Sequence, residues 1–187
     1  ERLTKANALS DAGISIVRYN ASNSTLFVCY QNGNIDLIKG TTTINMADIK
    51  RDELVGDKSI YNVMFRNNLA YVSTGFGIVV VDMDDEEVDA TYIIGPGESQ
   101  VQVNAVAIDN AWIWAATEDS GLFRADINSP NLSDFNNWSQ VTDVPNQNGP
   151  FNAMVSFGDK LYLNYRSGIF NGDTVYTYDG TNWATFA

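Results

Sequence analysis

The chain has 187 residues, 44% of them hydrophobic and 12% aromatic, with a formal charge of -12 from 23 acidic against 11 basic residues. That composition builds one packed domain, or part of one, burying about 70% of its unfolded surface. It excludes disorder, and the negative field excludes phosphate backbones and anionic lipid as partners. Histidine is absent, which excludes Ser-His-Asp and Cys-His catalysis and every His-based metal site. No apolar run of about 18 residues exists, so membrane insertion is not expected. The chain begins Glu1-Arg2-Leu3 without a signal-peptide core; this reading places it inside a longer polypeptide, with any export signal upstream.

Residues 1–11 read as the tail of a preceding unit, a short polar strand followed by a connection from Asn7 to Asp11. From there short strands alternate with turn signals. Ile14 to Tyr19, Thr25 to Tyr30 and Ile35 to Ile38 are predicted strands, parted by Asn20 to Ser24 and by the hairpin signal Gln31-Asn32-Gly33-Asn34. Thr41 to Met46 supplies a fourth, outer strand. The next unit repeats the plan with Ile60 to Phe65, Leu69 to Thr74, Ile78 to Val81 and, across an acidic turn, Val88 to Ile94. A third follows with Val103 to Ile108, Trp112 to Thr117, Leu122 to Asp126 and Trp138 to Val141, the last reached across a polar insertion from Asn128 to Asn137. Phe151 to Phe157, Lys160 to Tyr165, Thr174 to Tyr178 and Trp183 to Phe186 complete a fourth. The apolar residues run in blocks and alternations, without the i, i+3, i+4 recurrence of an amphipathic helix.

The glycines before the third strands, Gly33, Gly77 and Gly121, recur at 44-residue intervals. Registering on Asn62, Asn104 and Asn152 instead gives 42 and 48 residues, the excess falling in the 128–137 insertion. Four strands per unit at a period of about 40 to 50 residues is the signature of an all-β β-propeller made of four-stranded antiparallel blades. The blades are expected at about residues 12–50, 58–95, 101–143 and 150–187. Four blades would be a very small propeller, so a four-blade fragment of a larger ring of about seven is expected. The flanks of its end blades are then apolar surface available for self-association or for a partner.

Candidate sites are weighed against plainer roles. Cys29, the single cysteine, lies within a strand and is expected as a buried, unreactive thiol. The turn holding Asp82, Asp84, Asp85, Glu86, Glu87 and Asp89 has the oxygen density of a calcium loop but not its spacing, and reads as a solvated hairpin tip. Asp109, Glu118 and Asp119 fall in turns, where such residues bend the chain. Gly75-Phe76-Gly77 and Gly95-Pro96-Gly97 are turns without the features of phosphate loops. Trp112, Trp114, Trp138 and Trp183 would suit a sugar-stacking platform, but Trp112 and Trp114 share period-2 spacing, which is core geometry. Sequons at Asn20, Asn23, Asn131 and Asn137 matter only in a eukaryotic secretory route. No catalytic, cofactor-binding or metal-binding residue is assigned, and no cofactor is expected.

The runs LSDAGISIVRYN, TLFVCYQNGNIDLI and DKSIYNVMFRNNLAYVSTGFGIVVVD, with the later GDKLYLNY and VYTYDGTNW, resemble the N-terminal propeller of PorZ-type proteins of the type IX secretion system in Bacteroidota. These share their repeats with two-component-regulator propellers. The resemblance implies export to the periplasm or outer-membrane surface, two propellers with a small C-terminal domain, and a part in delivering anionic lipopolysaccharide. It also implies a non-enzymatic module whose partners are proteins of a secretion apparatus, and it carries no catalytic residues over. A ligand-sensing propeller of a hybrid two-component regulator, with a glycan as partner, is the alternative implied by the same repeats. A carbohydrate-active propeller enzyme is the third.

Overall fold

The computed structural model describes residues 3–53 and 56–186. Among them sixteen strands form four antiparallel sheets of four, and within each sheet sequence neighbours are spatial neighbours. Such meanders arise because most strands are short, apolar-rich runs followed by turns containing Asn, Asp or Gly, which let the next strand return beside them. The chain divides into two compact units, Glu1–Thr91 and Tyr92–Ala187.

In the first unit, sheet 1 holds β1 (Ile14–Asn20), β2 (Thr25–Tyr30), β3 (Ile35–Lys39) and β4 (Thr42–Met46). Sheet 2 holds β5 (Ile60–Arg66), β6 (Leu69–Thr74), β7 (Gly77–Asp82) and β8 (Glu87–Tyr92). Phe27 of β2 meets Phe65 of β5 edge-to-face at 5.8 Å, joining the sheets through an apolar seam. The link between them contains one helical turn, α1 (Asp48–Arg51), which the strand pattern did not predict. Its Ile49 is buried, so packing rather than periodicity creates it. The strand expected before residue 11 is a turn where described: the Asn7, Ala8 and Leu9 amides all donate to the Thr4 carbonyl, leaving none for a ladder. Leu9 packs on Val28, Tyr30 and Ile38 instead.

In the second unit, sheet 3 holds β9 (Val103–Ile108), β10 (Trp112–Thr117), β11 (Leu122–Asp126) and β12 (Ser139–Gln140). Sheet 4 holds β13 (Phe151–Phe157), β14 (Lys160–Tyr165), β15 (Thr174–Tyr178) and β16 (Trp183–Thr185). One core fills the space between them, from Ala105, Ala107 and Trp114 to Phe151, Met154 and Leu163. The outer strand β12 is shorter than expected, because Trp138 is drawn out of the ladder and donates its indole N–H to the Leu132 carbonyl at 2.9 Å.

Every first strand carries a bulge near its start. Pairing skips Ser15 in β1, Tyr61 in β5, Asn104 in β9 and Asn152 in β13. The equivalent of Asn104 and Asn152 is therefore Tyr61, not Asn62, and registering on asparagine slips by one residue in sheet 2. The glycine register slips likewise in sheet 1. The Thr74 and Thr117 hydroxyls donate to the Gly77 and Gly121 carbonyls at 2.9 and 2.7 Å, but the Tyr30 amide donates to Asn34, one residue beyond Gly33.

Candidate functional site

A bulge turns one side chain out of the ladder, and bulges gather where a fold re-aims a residue. Here each bulged residue fastens chain at the strand-entry end of its sheet. In the first unit the Ser15 hydroxyl donates to the Cys29 carbonyl at 3.2 Å, and Tyr61 donates its phenolic proton to Asp57 at 2.7 Å. Burial pushes the Asp57 carboxyl up, but the Ser59 amide and the Tyr61 hydroxyl outweigh it, and the group lies below its ordinary value. Beside them Asp11 accepts from Asn32 at 2.8 Å and Lys50 at 2.6 Å, which hold it well below the usual carboxylate range, the Asn32 amide most strongly.

Beneath lies fully buried Asp36. It accepts from the Tyr30 hydroxyl at 2.5 Å, the Ser10 amide at 2.8 Å and the Asn45 amide at 2.9 Å. Burial raises the Tyr30 phenol, and the Asp36 hydrogen bond raises it further. The Ser10 bond anchors the N-terminal segment to sheet 1.

In the second unit Asn104 donates to Glu118 at 2.8 Å and to the Phe151 carbonyl at 3.0 Å, while Gln102 donates to its oxygen at 2.8 Å. Glu118 also pairs with Arg166, so one network joins the entry ends of sheets 3 and 4. Asn152 accepts from Asn164, whose amide also reaches Asp173. Asp173 in turn accepts from the Ser167 amide at 3.1 Å, and the Ser167 hydroxyl accepts from the Ile169 amide at 3.1 Å. This braced loop holds Ile169 and Phe170 out to solvent, the latter 92% exposed. Val155 and Phe157 on β13 are also exposed, as is Phe186, which meets Tyr162 edge-to-face at 5.6 Å.

Three further aspartates build turns. Asp82 accepts from the Asp84 and Asp85 amides at 2.8 and 3.1 Å, Asp109 from Ala111 and Trp112 at 2.8 and 2.7 Å, and Asp179 from Thr181 and Asn182 at 2.9 and 2.8 Å. Backbone amides hold Asp82 and Asp179 below their ordinary values, the Asp85 and Asn182 amides contributing most. Asp84 and Glu86 of the acidic turn receive Asn23 and Lys39 from sheet 1, at 3.3 and 2.9 Å. Among the described residues no group of three carboxylates or thiols is placed to hold a metal ion.

Cys29 is fully buried, and desolvation pushes its thiol up to about 12. Trp114 is core: it donates to Asp109 at 2.8 Å and meets Tyr178 and Trp183 edge-to-face. Trp112 lies under the Arg124 guanidinium, 4.4 Å from its ring centre. Asn20 is buried and bonded to the Asn67 carbonyl at 2.8 Å, whereas Asn131 and Asn137 are exposed. Sequence reading missed the bulged quartet. A signal was present: each first strand opens with an apolar residue followed by a hydrogen-bonding one, as in Ile14-Ser15, Ile60-Tyr61, Val103-Asn104 and Phe151-Asn152.

A family model described as the N-terminal β-propeller domain of PorZ, from the type IX secretion system, matches residues 1–139. No curated protein matches by sequence. Among solved structures, PorZ of Porphyromonas gingivalis, described as an essential bacterial surface component of that system, is similar with a TM-score of 0.83 and 23% identity. The match covers 98% of this chain and 23% of that one. The extracellular domain of the hybrid two-component system BT3049 from B. thetaiotaomicron gives 0.67 at 13% identity, covering 100% of this chain and 26% of that one. That of BT4673 from the same organism gives 0.64 at 21% identity, covering 87% and 21%. These likenesses establish the propeller fold, and this chain spans about a quarter of the length of each. Among the described residues no helix is long and apolar enough to cross a membrane.

Proposed function

Because the chain belongs to the family of PorZ N-terminal β-propeller domains, we propose that it is a non-enzymatic interaction module of an exported, cell-surface-associated protein. It works in type IX secretion, where its parent helps deliver anionic lipopolysaccharide, and its four sheets belong to a larger propeller of about seven blades. The observation supporting a holding role is the braced loop of sheet 4, which carries Ile169 and Phe170 at 74% and 92% exposure. A loop backbone braced in that manner presents large apolar side chains to a protein partner's pocket with less backbone entropy to be lost on binding. Asp11, Asp36, Asp57, Asp82, Asp109 and Asp179, by contrast, accept from donors within the chain.

The test is a photo-crosslinking residue at position 170 of the full-length protein in its native host. The expected result is one discrete protein adduct in the outer-membrane fraction, lost together with cargo secretion in Phe170→Asp. Absence of an adduct, with secretion unchanged in Phe170→Asp, contradicts the reading.

A second reading is the periplasmic ligand-sensing propeller of a hybrid two-component regulator, supported by the fold shared with the BT3049 and BT4673 extracellular domains. The full-length polypeptide discriminates: a sensor continues into a transmembrane helix and kinase, a secretion component into a small β domain.

A further inference from the structure

The bulges give the four sheets a common register, and that register relates the far faces of sheets 4 and 1. In the seam of the second unit, sheet 3 presents Ala105, Ala107, Trp114 and Leu122, and sheet 4 receives them on Met154, Leu161, Leu163 and Tyr176. The opposite face of sheet 4 carries Ala153, Val155, Tyr162 and Val175 at the positions that the presenting residues hold in sheet 3. It is a second presenting face, aliphatic or aromatic at all four places and with Val155 55% exposed.

Sheet 1 holds the receiving counterpart. Its face away from Phe27 carries Val17, Leu26, Val28 and Asp36 where sheet 4 has Met154, Leu161, Leu163 and Tyr176. Three of these are apolar and the fourth is a fully buried carboxyl. Sheets 2 and 3 have Val79 and Phe123 at the place of Asp36, so the acid breaks a pattern that the other three sheets keep. The N-terminal segment lies across this face. Leu9 packs on Val28, Tyr30 and Ile38, the Ser10 amide donates to Asp36 at 2.8 Å, and Asp11 accepts from Asn32 and Lys50. A turn closed on the Thr4 carbonyl shapes the stretch before them.

Leu9 fills the apolar half of the seat, and Ser10 brings a donor that the presenting face of sheet 4 lacks at its four register positions. An apolar sheet in place of the segment would leave the buried Asp36 carboxyl short of that donor, which is costly. We infer that residues 4–11 cap sheet 1 and keep the chain from stacking head to tail, by closing the seat that sheet 4 of a second copy would enter. A contact of that kind joins two different faces and does not close on itself, so unchecked it grows. Inward-pointing charged residues and polar caps on end repeats are the means by which natural β-sheets and repeat arrays prevent such growth. In a larger propeller the sheet next to sheet 1 would meet the cap and not the bare face. The inference is separate from the Phe170 loop and stands whether or not the protein-holding role does.

The test is sedimentation velocity of the wild-type chain and of Asp36→Val, which gives sheet 1 the residue type of Val79 and removes the acceptor of the Ser10 amide. The wild-type chain is expected to form nothing larger than a dimer, because two presenting faces of sheet 4 can only close a pair. Asp36→Val is expected to pass beyond the dimer, its average mass rising about twofold or more over an increase of about tenfold in concentration. Adding Val155→Asp, at an exposed position of the presenting face, should restore the wild-type pattern, a rescue that a misfolded chain would not show. If circular dichroism shows that Asp36→Val does not fold, Ser10→Pro combined with Asp36→Asn takes its place. Proline has no amide proton to donate, and the asparagine oxygen can still accept from the Tyr30 hydroxyl. The inference is overturned if the wild-type chain itself grows beyond a dimer, if the folded variant does not, or if Val155→Asp leaves the growth unchanged.

Discussion

The two units fasten their paired sheets at different ends. In the first, the contacts gather at the hairpin tips joining first to second and third to fourth strands. Asn20 and Ser22 both donate to the Asn67 carbonyl at 2.8 Å, Lys39 pairs with Glu86, and Asn23 reaches Asp84. In the second, they gather at the strand-entry end, where Asn104, Glu118 and Arg166 join the sheets and reach the Phe151 carbonyl. The seams differ as well, with a Phe27–Phe65 pair in the first and Trp114 set against Tyr178 and Trp183 in the second. One repeat plan thus leaves its polar fastenings free to move, because an apolar seam already holds the sheets and the hydrogen bonds only fix their register.

If the seams dominate, removing their aromatic rings has the largest effect. Trp114→Ala leaves a cavity and should cost about 3 to 5 kcal/mol, and Phe27→Ala a similar amount. Hydrogen exchange by mass spectrometry should show protection lost mainly in residues 92–187 for the first variant and mainly in 1–91 for the second. Loss spread evenly over both units in either variant would erase the distinction between them.

The polar fastenings come next. Asn20→Ala removes the donor to the Asn67 carbonyl and the acceptor of the Ser22 amide and hydroxyl in the first unit, and Asn104→Ala opens the network of the second. Each should cost about 1 to 2 kcal/mol, read by urea denaturation, since each removes a buried side chain with several hydrogen bonds. The Arg166–Glu118 and Lys39–Glu86 pairs are partly exposed, so Glu118→Gln and Glu86→Gln should each cost under about 1 kcal/mol.

The pH dependence is smaller still and sharpens the role of the turns. Asp57, Asp82 and Asp179 lie below their ordinary values in the folded chain. The unfolded chain therefore takes up protons first, at about pH 3.9. Their contribution is fully present well above that value and is lost as pH falls through the lower folded values. Denaturation midpoints should hold steady from pH 7 to about 5 and drop below about pH 4.

The strands were legible because their signals are local. Thr25 to Tyr30, Leu69 to Thr74 and Lys160 to Tyr165 carry apolar blocks bounded by turn residues, and the structure keeps those bounds. What escaped depends on partners distant in sequence. The skipped residue in β5 is Tyr61 rather than Asn62 because Ile60 pairs with Thr74 and Asn62 with Ser73, a choice invisible in β5 itself. The turn at Asp48–Arg51 exists because Ile49 finds a buried place. Trp138, expected at the start of an outer strand, is instead buried beside Tyr92, a partner more than forty positions earlier in the chain.

Acidic side chains in this chain shape the backbone at its turns. Guanidinium denaturation at pH 7 of the parent, Asp82→Asn and Asp82→Ala tests this most directly. An amide oxygen can still accept from the Asp84 and Asp85 backbone, so Asp82→Asn should stay close to the parent while Asp82→Ala loses about 1 kcal/mol. An alanine variant as stable as the parent would contradict it.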